Sequence, residues 1–332
     1  MFIVDAHLDL AYNAVRGRQV DRPAIEQTPD HDGIPTVGLP DLKAGGVGLI
    51  CATIFCQPAL ADTPGYATAE EAATVARRQL SWYNAQAREG RLRLVRRKGD
   101  VPTADSRGGC LDAILLLEGA DPIRTPDDLP EWFEAGLRIV GLSWKQTRYA
   151  GGTGAPAPLT AAGVALVAAL DRLGIIHDAS HLAEESFWQL CDISSGPIMA
   201  SHSNCRVIVP TDRQLSDEMA KAIFKRNGVI GINFFDKFLL DPSQQGTRRA
   251  RLSDVVRHMK HFCDLAGDHL HVAIGTDMDG GLGREQIPVE IATSADLPRL
   301  ADVLSEAGFG DDAVRGIMGR NWLRFFRENL AG

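Results

Sequence analysis

The hydrophobic positions of this chain fall into eight short apolar runs separated by longer amphipathic stretches. The runs are rich in Val, Ile and Leu and do not alternate with polar residues, which is typical of parallel strands buried on both faces. They cover residues 2–4, 47–55, 113–117, 137–142, 175–179, 197–201, 228–234 and 271–275. The pattern therefore predicts eight parallel strands.

Apolar residues recur at helical spacing between these runs. The predicted helices cover residues 69–88, 126–135, 160–173, 184–191, a stretch beginning near 216, 252–265, 295–307 and 311–328. Thr160 is a predicted N-cap, because its side-chain oxygen can accept a hydrogen bond from a free backbone N–H of the first turn. Gly174 is the matching C-terminal signal.

Eight strands separated mostly by helices predict an α/β fold, a single (β/α)8 barrel of the TIM type spanning residues 1–332. A doubly wound open sheet is the alternative, but no GxGxxG turn follows the first strand. Residues 16–41, rich in Pro and Gly, predict a loop inserted over one end of the barrel.

Composition and charge narrow the choice of partners and compartment. Hydrophobic residues make up 45% and charged residues 23%, which is ordinary for a soluble globular protein. The net charge of −8 argues against nucleic acid and anionic membrane as partners. The six cysteines form no CxxC pair, and no basic leader precedes the first strand, so we expect a reducing, cytoplasmic location.

Residue types that bind metals follow five of the predicted strands. In a barrel, the residues just after each strand face one cavity. The candidates are His7 and Asp9, Glu118, His181, His202, and the pair Asp277 and Asp279. Each has a structural explanation on its own: Glu118 can cap a helix, His181 can be a core imidazole, and Asp277 can shape a Gly-rich turn. Their common position at one end of the barrel favours a metal site.

The candidate donors are nitrogen and oxygen ligands, which suit Zn²⁺ or similar ions. They are too many for one catalytic zinc, which takes three protein ligands and a water. A two-metal site with a bridging carboxylate uses all of them, and a water shared by two zinc ions becomes a nucleophile near neutral pH. A covalent hydrolase is not favoured, because GxSxG is absent and no Cys at a strand end has an obvious His partner.

The chain resembles the membrane (renal) dipeptidase family, peptidase family M19, within the amidohydrolase superfamily. The resemblance runs along nearly the whole chain and depends on the order and spacing of several short pieces. These are DAHLD at 5–9, LEG at 117–119, DASH at 178–181, SHS at 201–203, RQLSD at 213–217, GINF at 231–234 and GTDMDG at 275–280. The resemblance also implies a homodimer.

The resemblance implies two zinc ions in each chain. The implied ligands are His7 and Asp9 for one ion, His181 and His202 for the other, and Glu118 as the bridge between them. Many other members of the superfamily bridge instead with a carbamylated lysine from the fourth strand, so Lys145 is a rival to Glu118. The resemblance further implies that Arg213 grips the substrate carboxylate, which its planar fork suits. It also implies that Asp277 takes part in proton transfer.

One position departs from the family pattern. The family usually has a histidine after the fourth strand that polarises the substrate carbonyl, and this chain has Trp144 there. An indole donates one hydrogen bond but carries no charge. Lys145, Arg148 and Tyr149 are alternative donors, and the sequence does not choose among them. His177 lies deeper along its strand and is predicted to be a core residue.

The expected function is a zinc-dependent dipeptidase that hydrolyses small dipeptides, L-Xaa-D-Xaa among them, through a metal-bridging hydroxide. One alternative is hydrolysis of another small amide or an N-acyl amino acid at the same metal centre, which Trp144 favours. The other is a metal-bearing binding protein without turnover. The pattern of residues 324–332 predicts the end of an amphipathic helix and not a lipid-anchor signal.

Overall fold

The computed structural model describes residues 1–104 and 109–332, and its strands curl into a parallel barrel surrounded by helices. The strands are β1 (Ile3–Leu8), β2 (Val47–Phe55), β3 (Leu92–Leu94), β4 (Leu111–Glu118), β5 (Leu137–Gly141), β6 (Ile176–Asp178), β7 (Ile198–Met199), β8 (Ile230–Ile232) and β9 (Val272–Ile274). The ladder runs β1-β2-β4-β5-β6-β7, a bridge from Ala200 to Ile230 continues it, and β8 pairs with β9. The predicted (β/α)8 barrel is confirmed.

Strand β3 is the one strand of the described chain that the hydrophobic pattern did not predict. It is three residues long and pairs in parallel with the start of β4. It has only one buried residue, Leu92. A single buried position produces no hydrophobic pattern from which a strand can be predicted.

The helices surround the strands, and several begin and end where the sequence predicted. They are α1 (Leu10–Val15), α2 (Leu39–Ala44), α3 (Ala69–Arg88), α4 (Leu129–Glu134), α5 (Ala161–Leu173), α6 (Glu184–Ile193), α7 (Asp217–Lys225), α8 (Asp236–Leu239), α9 (Leu252–Ala266), α10 (Arg299–Glu306), α11 (Asp311–Arg315) and α12 (Asn321–Asn329). The Thr160 hydroxyl accepts a hydrogen bond from the Gly163 N–H at 3.0 Å, and Gly174 has a φ of 66°. Among the described residues, no helix is long and apolar enough to cross a membrane.

Three predicted helices are interrupted, and the one predicted at 295–307 begins as a 3-10 turn, Ser294–Asp296, before α10. The stretch predicted at 126–135 begins as a 3-10 turn, Pro126–Asp128, before α4. The stretch predicted at 311–328 contains a π-helical turn, Gly316–Arg320, between α11 and α12. The turn packs against β1, and a side chain at Gly319 would meet the backbone oxygen of Phe2 at 2.7 Å. The helix therefore widens where it crosses a strand at close range.

The strands are buried on both faces, which explains why their hydrophobic pattern does not alternate. On β4, Ile114 and Leu116 belong to one apolar cluster inside the barrel, whereas Leu115 and Leu117 belong to another beneath the helices. Side chains alternate between the two faces of a strand. Glu118 therefore continues the inward-facing series at the end of β4, where the barrel interior opens.

The barrel closes between β9 and β1 mainly through a side chain. The buried carboxylate of Asp5 accepts hydrogen bonds from the Thr276 N–H at 2.9 Å and the Thr276 hydroxyl at 2.6 Å. One backbone hydrogen bond also crosses the seam. The Asp277 N–H, just after β9, donates to the His7 carbonyl in β1 at 3.3 Å. Helix α12 satisfies the free carbonyl of Ile274 through the Trp322 indole N–H at 2.9 Å. The seam therefore depends on Asp5.

We predict that Thr276→Val destabilises the fold by about 1–3 kcal/mol, because it leaves one oxygen of the buried Asp5 carboxylate without its hydroxyl partner. Urea unfolding of the metal-free protein measures the change. Thr74→Val is the matched control, since the Thr74 hydroxyl bonds the Glu70 carbonyl at 2.9 Å on the exposed surface of α3. We expect the control to shift stability by no more than about 0.5 kcal/mol. Equal midpoints for the two variants would contradict the role of Asp5 at the seam.

Candidate metal centre

The predicted ligands meet at the floor of a cavity of ≈ 820 Å³ at the carboxyl ends of the barrel strands. Their side-chain ligand atoms fall into overlapping groups whose members lie within 4.8 Å of one another. The groups are His7, Asp9 and Glu118; Glu118, His181 and His202; and His7, His202 and Asp277. The barrel therefore brings together residues from five separate strand ends.

Glu118 lies between two pairs of ligands. Its Oε2 atom is 3.5 Å from His7 Nε2, which in turn is 3.8 Å from Asp9 Oδ2. Its Oε1 atom is 3.3 Å from His181 Nε2 and 3.6 Å from His202 Nε2. Each oxygen of the same carboxylate thus faces a different pair, which is the arrangement that a carboxylate bridging two cations requires.

Buried polar atoms without partners mark the same place. His7 Nε2 and Asp9 Oδ1 are both buried and have no hydrogen-bond partner among the residues that the structure describes. The Nε2 atoms of His181 and His202 lie 3.0 Å apart. Buried polar groups are almost always hydrogen-bonded or bound to a cation. These side chains therefore fit metal ions, with imidazole and carboxylate donors of the kind that zinc takes.

The protonation of the histidines also suits metal binding. Burial, together with the positive charge of Arg213, holds the pKa of His181 well below its usual range. Burial and the charge of His7 do the same for the pKa of His202. Burial opposes protonation of His7 as well, but the carboxylates led by Glu118 outweigh it and raise the pKa of His7 to about 10. That site attracts a positive charge, either a proton or a cation.

Ser201 fixes the tautomer of two histidines. Its hydroxyl donates to Asp178 Oδ2 at 2.5 Å, which uses its only proton. Its oxygen is 3.2 Å from His7 Nδ1 and 2.8 Å from His202 Nδ1, so both ring nitrogens must donate to it. With Nδ1 protonated, each ring presents the lone pair of Nε2 to the centre. The sequence motifs contained Asp178 and Ser201, but nothing in the sequence gave them this role.

Two further side chains that hold the site were missed from the sequence. Thr153 Oγ1 is 3.0 Å from His181 Nδ1 and orients that ring. Asn233 Nδ2 donates to Asp277 Oδ2 at 2.8 Å. The GINF piece contains Asn233, whereas Thr153 lies in a Gly-rich loop with no ligand-like pattern. His181 and Asp277 have φ angles of 65° and 60°, a left-handed conformation that is uncommon for residues other than glycine.

Asp277 lies beside the ligands, with its Oδ1 atom 3.9 Å from His7 Nε2. Burial and then the nearby Glu118 carboxylate raise the pKa of Asp277 to about 7, against the opposing charge of His7. A side chain at Gly280 would collide with the Asp277 carboxylate, so the turn requires glycine there. Asp277 can therefore both hold and release a proton near neutral pH.

Asp279 has a different place from the ligands, although it follows the same strand. Its carboxylate accepts from the Thr36 hydroxyl at 2.7 Å and the Val37 N–H at 2.9 Å, and it pairs with Arg18 at 3.0 Å. It is thereby fully occupied in holding the segment 16–41 against the barrel. That segment contributes Arg16, among others, to the wall of the cavity.

Arg213 is buried next to the centre. Its Nη1 atom donates to the Ser203 hydroxyl at 3.2 Å, and its Nη2 atom donates to the His202 carbonyl at 2.5 Å. Its Nε atom is buried and has no hydrogen-bond partner in residues 1–104 and 109–332. Within the described chain, no carboxylate forms an ion pair with Arg213, and its guanidinium lies 5.1 Å from the ring centre of Phe238, a residue of the cavity wall.

Of the four candidate donors around Trp144, where the family usually has a histidine, two face the cavity and two do not. Trp144 and Lys145 line the cavity, and the Lys145 ammonium is 5.8 Å from the Trp144 ring centre. The Tyr149 hydroxyl donates to the Ile123 carbonyl, and Arg148 bonds Asp121 at 3.2 Å, so both point away. Lys145 and Trp144 remain the candidate donors. Glu118, in contact with three imidazoles, occupies the position between the two pairs.

His177 is buried, as predicted, but it faces away from the centre. Its Nε2 atom is 2.7 Å from Asp171 Oδ1 on α5, on the outer side of the barrel. The adjacent Asp178 faces inward beneath the ligands. His177 therefore serves the packing between strand and helix and not the metal site.

Comparison with known proteins places the chain in a family. The family model described as membrane dipeptidase (peptidase family M19) matches residues 1–331. By sequence, an uncharacterised protein in the pqqA 5′ region of Klebsiella pneumoniae is 31% identical over 249 residues, which are 72% of this chain and 89% of that protein. A Schizosaccharomyces pombe protein described as an uncharacterised dipeptidase is 24% identical and spans 98% of this chain and 80% of its own length.

Two solved structures resemble the chain along its full length. The crystal structure of a dipeptidase described as a metallopeptidase of the same family has a TM-score of 0.84 and 28% identity, and covers 100% of this chain and 99% of its own. A metallopeptidase from Rhodobacter sphaeroides, bound to a phosphinate mimic of the dipeptide L-Ala-D-Ala, has the same TM-score of 0.84, identity of 28% and coverage of 100% and 99%. The chain therefore belongs to the membrane dipeptidase family, peptidase family M19, and is a metallo-dipeptidase.

Proposed function

We propose that this protein is a zinc-dependent dipeptidase with two ions in each chain and that it cleaves dipeptides with a free carboxylate, L-Xaa-D-Xaa among them. The observation that carries the proposal is the position of Glu118, whose two oxygens face two separate pairs of ligands. The contacts that join Glu118 to the imidazoles, and His7 to Asp9, are 3.3–3.8 Å long. The relative from Rhodobacter sphaeroides that binds an L-Ala-D-Ala mimic supports the chirality.

The ligands divide between the ions by their geometry. His7 and Asp9 would hold one ion, His181 and His202 the other, and Glu118 would bridge. When bound, the zinc pair supplies an activated water as nucleophile and positive charge that stabilises the developing oxyanion. The carboxylates of Asp9 and Glu118 would lower the net charge of such a pair, and the neutral imidazoles would add nitrogen donors without changing it.

Asp277 would carry the proton to the departing amine. Its Oδ1 atom faces the ligands, and the Asn233 amide fixes its other oxygen at 2.8 Å. A general acid works best with a pKa near the working pH, and burial raises the pKa of Asp277 to about 7. The position of the carboxylate beside the ligands therefore suits it to this step.

Arg213 would bind the C-terminal carboxylate of the substrate. A buried guanidinium without a carboxylate partner is costly, and an anionic ligand removes that cost. Its unpaired Nε atom and the ring of Phe238 beside it mark the direction from which a substrate would approach. Binding through Arg213 also explains a requirement for substrates with a free carboxylate.

The proposed function is tested with a substrate panel assayed with zinc present. We expect hydrolysis of dipeptides, the L-D set included, slower hydrolysis of the matching dipeptide amides, and slow or no hydrolysis of N-acyl amino acids. If N-acyl amino acids are cleaved and every dipeptide is inert, the protein is instead a hydrolase of N-acyl amino acids at the same metal centre. A zinc-loaded protein that cleaves nothing would replace it with the binding protein.

We predict two zinc ions per chain in the wild type and a zinc affinity about 10- to 100-fold weaker in Ser201→Ala, because the variant no longer fixes the Nε2 lone pairs of His7 and His202. Metal analysis after dialysis and competition with a chromogenic chelator measure the two quantities. Chelation is expected to abolish dipeptide hydrolysis, and added zinc to restore it.

His261→Ala is the control for metal content. His261 pairs with Asp217 at 2.8 Å between two outer helices and is expected to leave two zinc ions bound. His181→Ala, by contrast, is expected to lose at least one. Fewer than about one zinc in the wild-type chain would rule out a two-metal centre.

We predict that Arg213→Met raises KM about 10- to 100-fold for dipeptides, since a charge-assisted hydrogen bond to a buried group contributes about 1.5–3 kcal/mol. The effect is expected to be absent for dipeptide amides, which lack the carboxylate. Steady-state kinetics on each dipeptide and its amide measure it. Arg77→Met is the control, because Arg77 lies away from the cavity, pairs with Glu131 at 2.9 Å and stacks on Trp132 at 5.5 Å. The same loss on both substrates would remove Arg213 from carboxylate binding.

A further inference from the structure

One side of the cavity is a continuous row of aromatic rings. Tyr12 and Phe55 meet edge to face with ring centres 5.2 Å apart, and Phe55 meets Trp144 in the same way at 5.3 Å. All three residues line the cavity. Such contacts are the favoured geometry of aromatic pairs and hold the rings in place. We call Tyr12, Phe55 and Trp144 the aromatic wall.

The order of the strands makes the wall continuous. Tyr12 lies on α1 directly after β1, Phe55 ends β2, and Trp144 follows β5. These strands lie along one arc of the barrel, in the order β1-β2-β4-β5. The wall reaches the floor of the cavity at Trp144, whose ring centre is 6.1 Å from that of the metal-ligand candidate His181.

Arg213 lies on the opposite arc. It follows β7, and the Phe238 ring beside it follows β8. The ligands around Glu118 lie between the two sides. If the carboxylate end of a dipeptide is held by Arg213 and its scissile carbonyl faces the ligands, its N-terminal residue extends towards the aromatic wall. This placement rests on the function proposed above.

The wall offers an apolar surface at that position. The half-buried Trp144 ring lines the cavity beside Phe55 and offers its face and edge to a bound side chain. Of the nearby charges, Arg16 pairs with Asp32 at 3.1 Å and lies 4.5 Å from the Tyr12 ring centre, and the Lys145 ammonium is 5.8 Å from the Trp144 ring centre. Most of the area that the three rings present is apolar, so an apolar side chain gains more from contact with them than a polar one, which would lose water there.

We propose that the aromatic wall binds the N-terminal side chain of the dipeptide and selects large apolar and aromatic residues at that position. Ring faces and edges contribute contact area and quadrupole interactions to a phenyl group that they cannot contribute to a methyl group. Trp144, whose ring centre is 6.1 Å from that of His181, is the principal specificity-determining residue. Its role is to bind the substrate and not to polarise the carbonyl.

The test compares kcat/KM for three dipeptides: L-Phe-D-Ala, L-Ala-D-Ala and L-Ala-D-Phe. We expect wild-type enzyme to favour L-Phe-D-Ala over L-Ala-D-Ala by about 10-fold or more, within the range that a hydrophobic pocket achieves. L-Ala-D-Phe is expected to gain no comparable advantage, because its phenyl group lies on the side of Arg213. If the enzyme cleaves only L-L dipeptides, the L-L set of the same sequences is used.

Three variants assign the preference to the wall. Trp144→Ala is expected to reduce the ratio of L-Phe-D-Ala to L-Ala-D-Ala to near one, with kcat/KM for L-Ala-D-Ala changed much less. Trp144→Phe is expected to restore most of the ratio, since it keeps a ring in contact with Phe55. Trp188→Ala removes an indole on the outer helix α6, hydrogen-bonded to Glu184 at 3.5 Å, and is expected to keep the wild-type ratio.

The outcomes separate this inference from the function on which it depends. If wild-type enzyme cleaves none of the dipeptides, the proposed function fails. If it cleaves them without a preference, or with a preference for L-Ala-D-Phe, the function stands and the role of the wall is wrong. An equal loss for every substrate in Trp144→Ala, with zinc content and melting temperature unchanged, would also overturn it. Such a result would point to a part in the chemical step.

Discussion

The shared carboxylate of Glu118 is the constraint on which the rest of the site depends. A carboxylate buried among three imidazoles within 3.3–3.6 Å is stable only when positive charge balances it. Glu118 ends β4 on the inner face of the barrel, where its side chain is buried. The site is therefore built around a requirement for cations, and the raised pKa of His7 shows how strongly the same carboxylates attract a proton.

The layer beneath the ligands makes this arrangement rigid. The Ser201 hydroxyl contacts the rings of both His7 and His202 and donates to Asp178. Two ligands that are far apart in the sequence are therefore oriented by the same hydroxyl. Asp5 performs a comparable task at the seam of the barrel, two residues before His7. The residues that close the barrel and those that aim the ligands thus lie next to one another. Stability and metal binding are coupled in this part of the molecule for that reason.

The two sides of the cavity differ in chemistry. One side carries Arg213, a buried positive charge that pairs with no carboxylate of the described chain, and the other carries the rings that end at Trp144. Asp279 holds the segment 16–41 in place with four bonds to its backbone and side chains, and that segment forms part of the rim. A small substrate with one anionic end and one apolar side chain matches this division. The position where the family pattern has a histidine is thereby part of the surface that discriminates between substrates.

The sequence alone determined the barrel and the set of candidate ligands, because buried parallel strands have an unalternating pattern and the residues after them must face one cavity. It also placed Glu118 directly after the third predicted strand. Only the tertiary structure distinguished Asp277 from Asp279, since the backbone after β9 turns through a left-handed residue and sends the two side chains to different places. The same holds for Arg148 and Tyr149, which point away from the site, and for Thr153 and Ser201, which orient the ligands. Strand position is a local property that a sequence encodes directly, whereas side-chain direction in loops depends on contacts between distant segments.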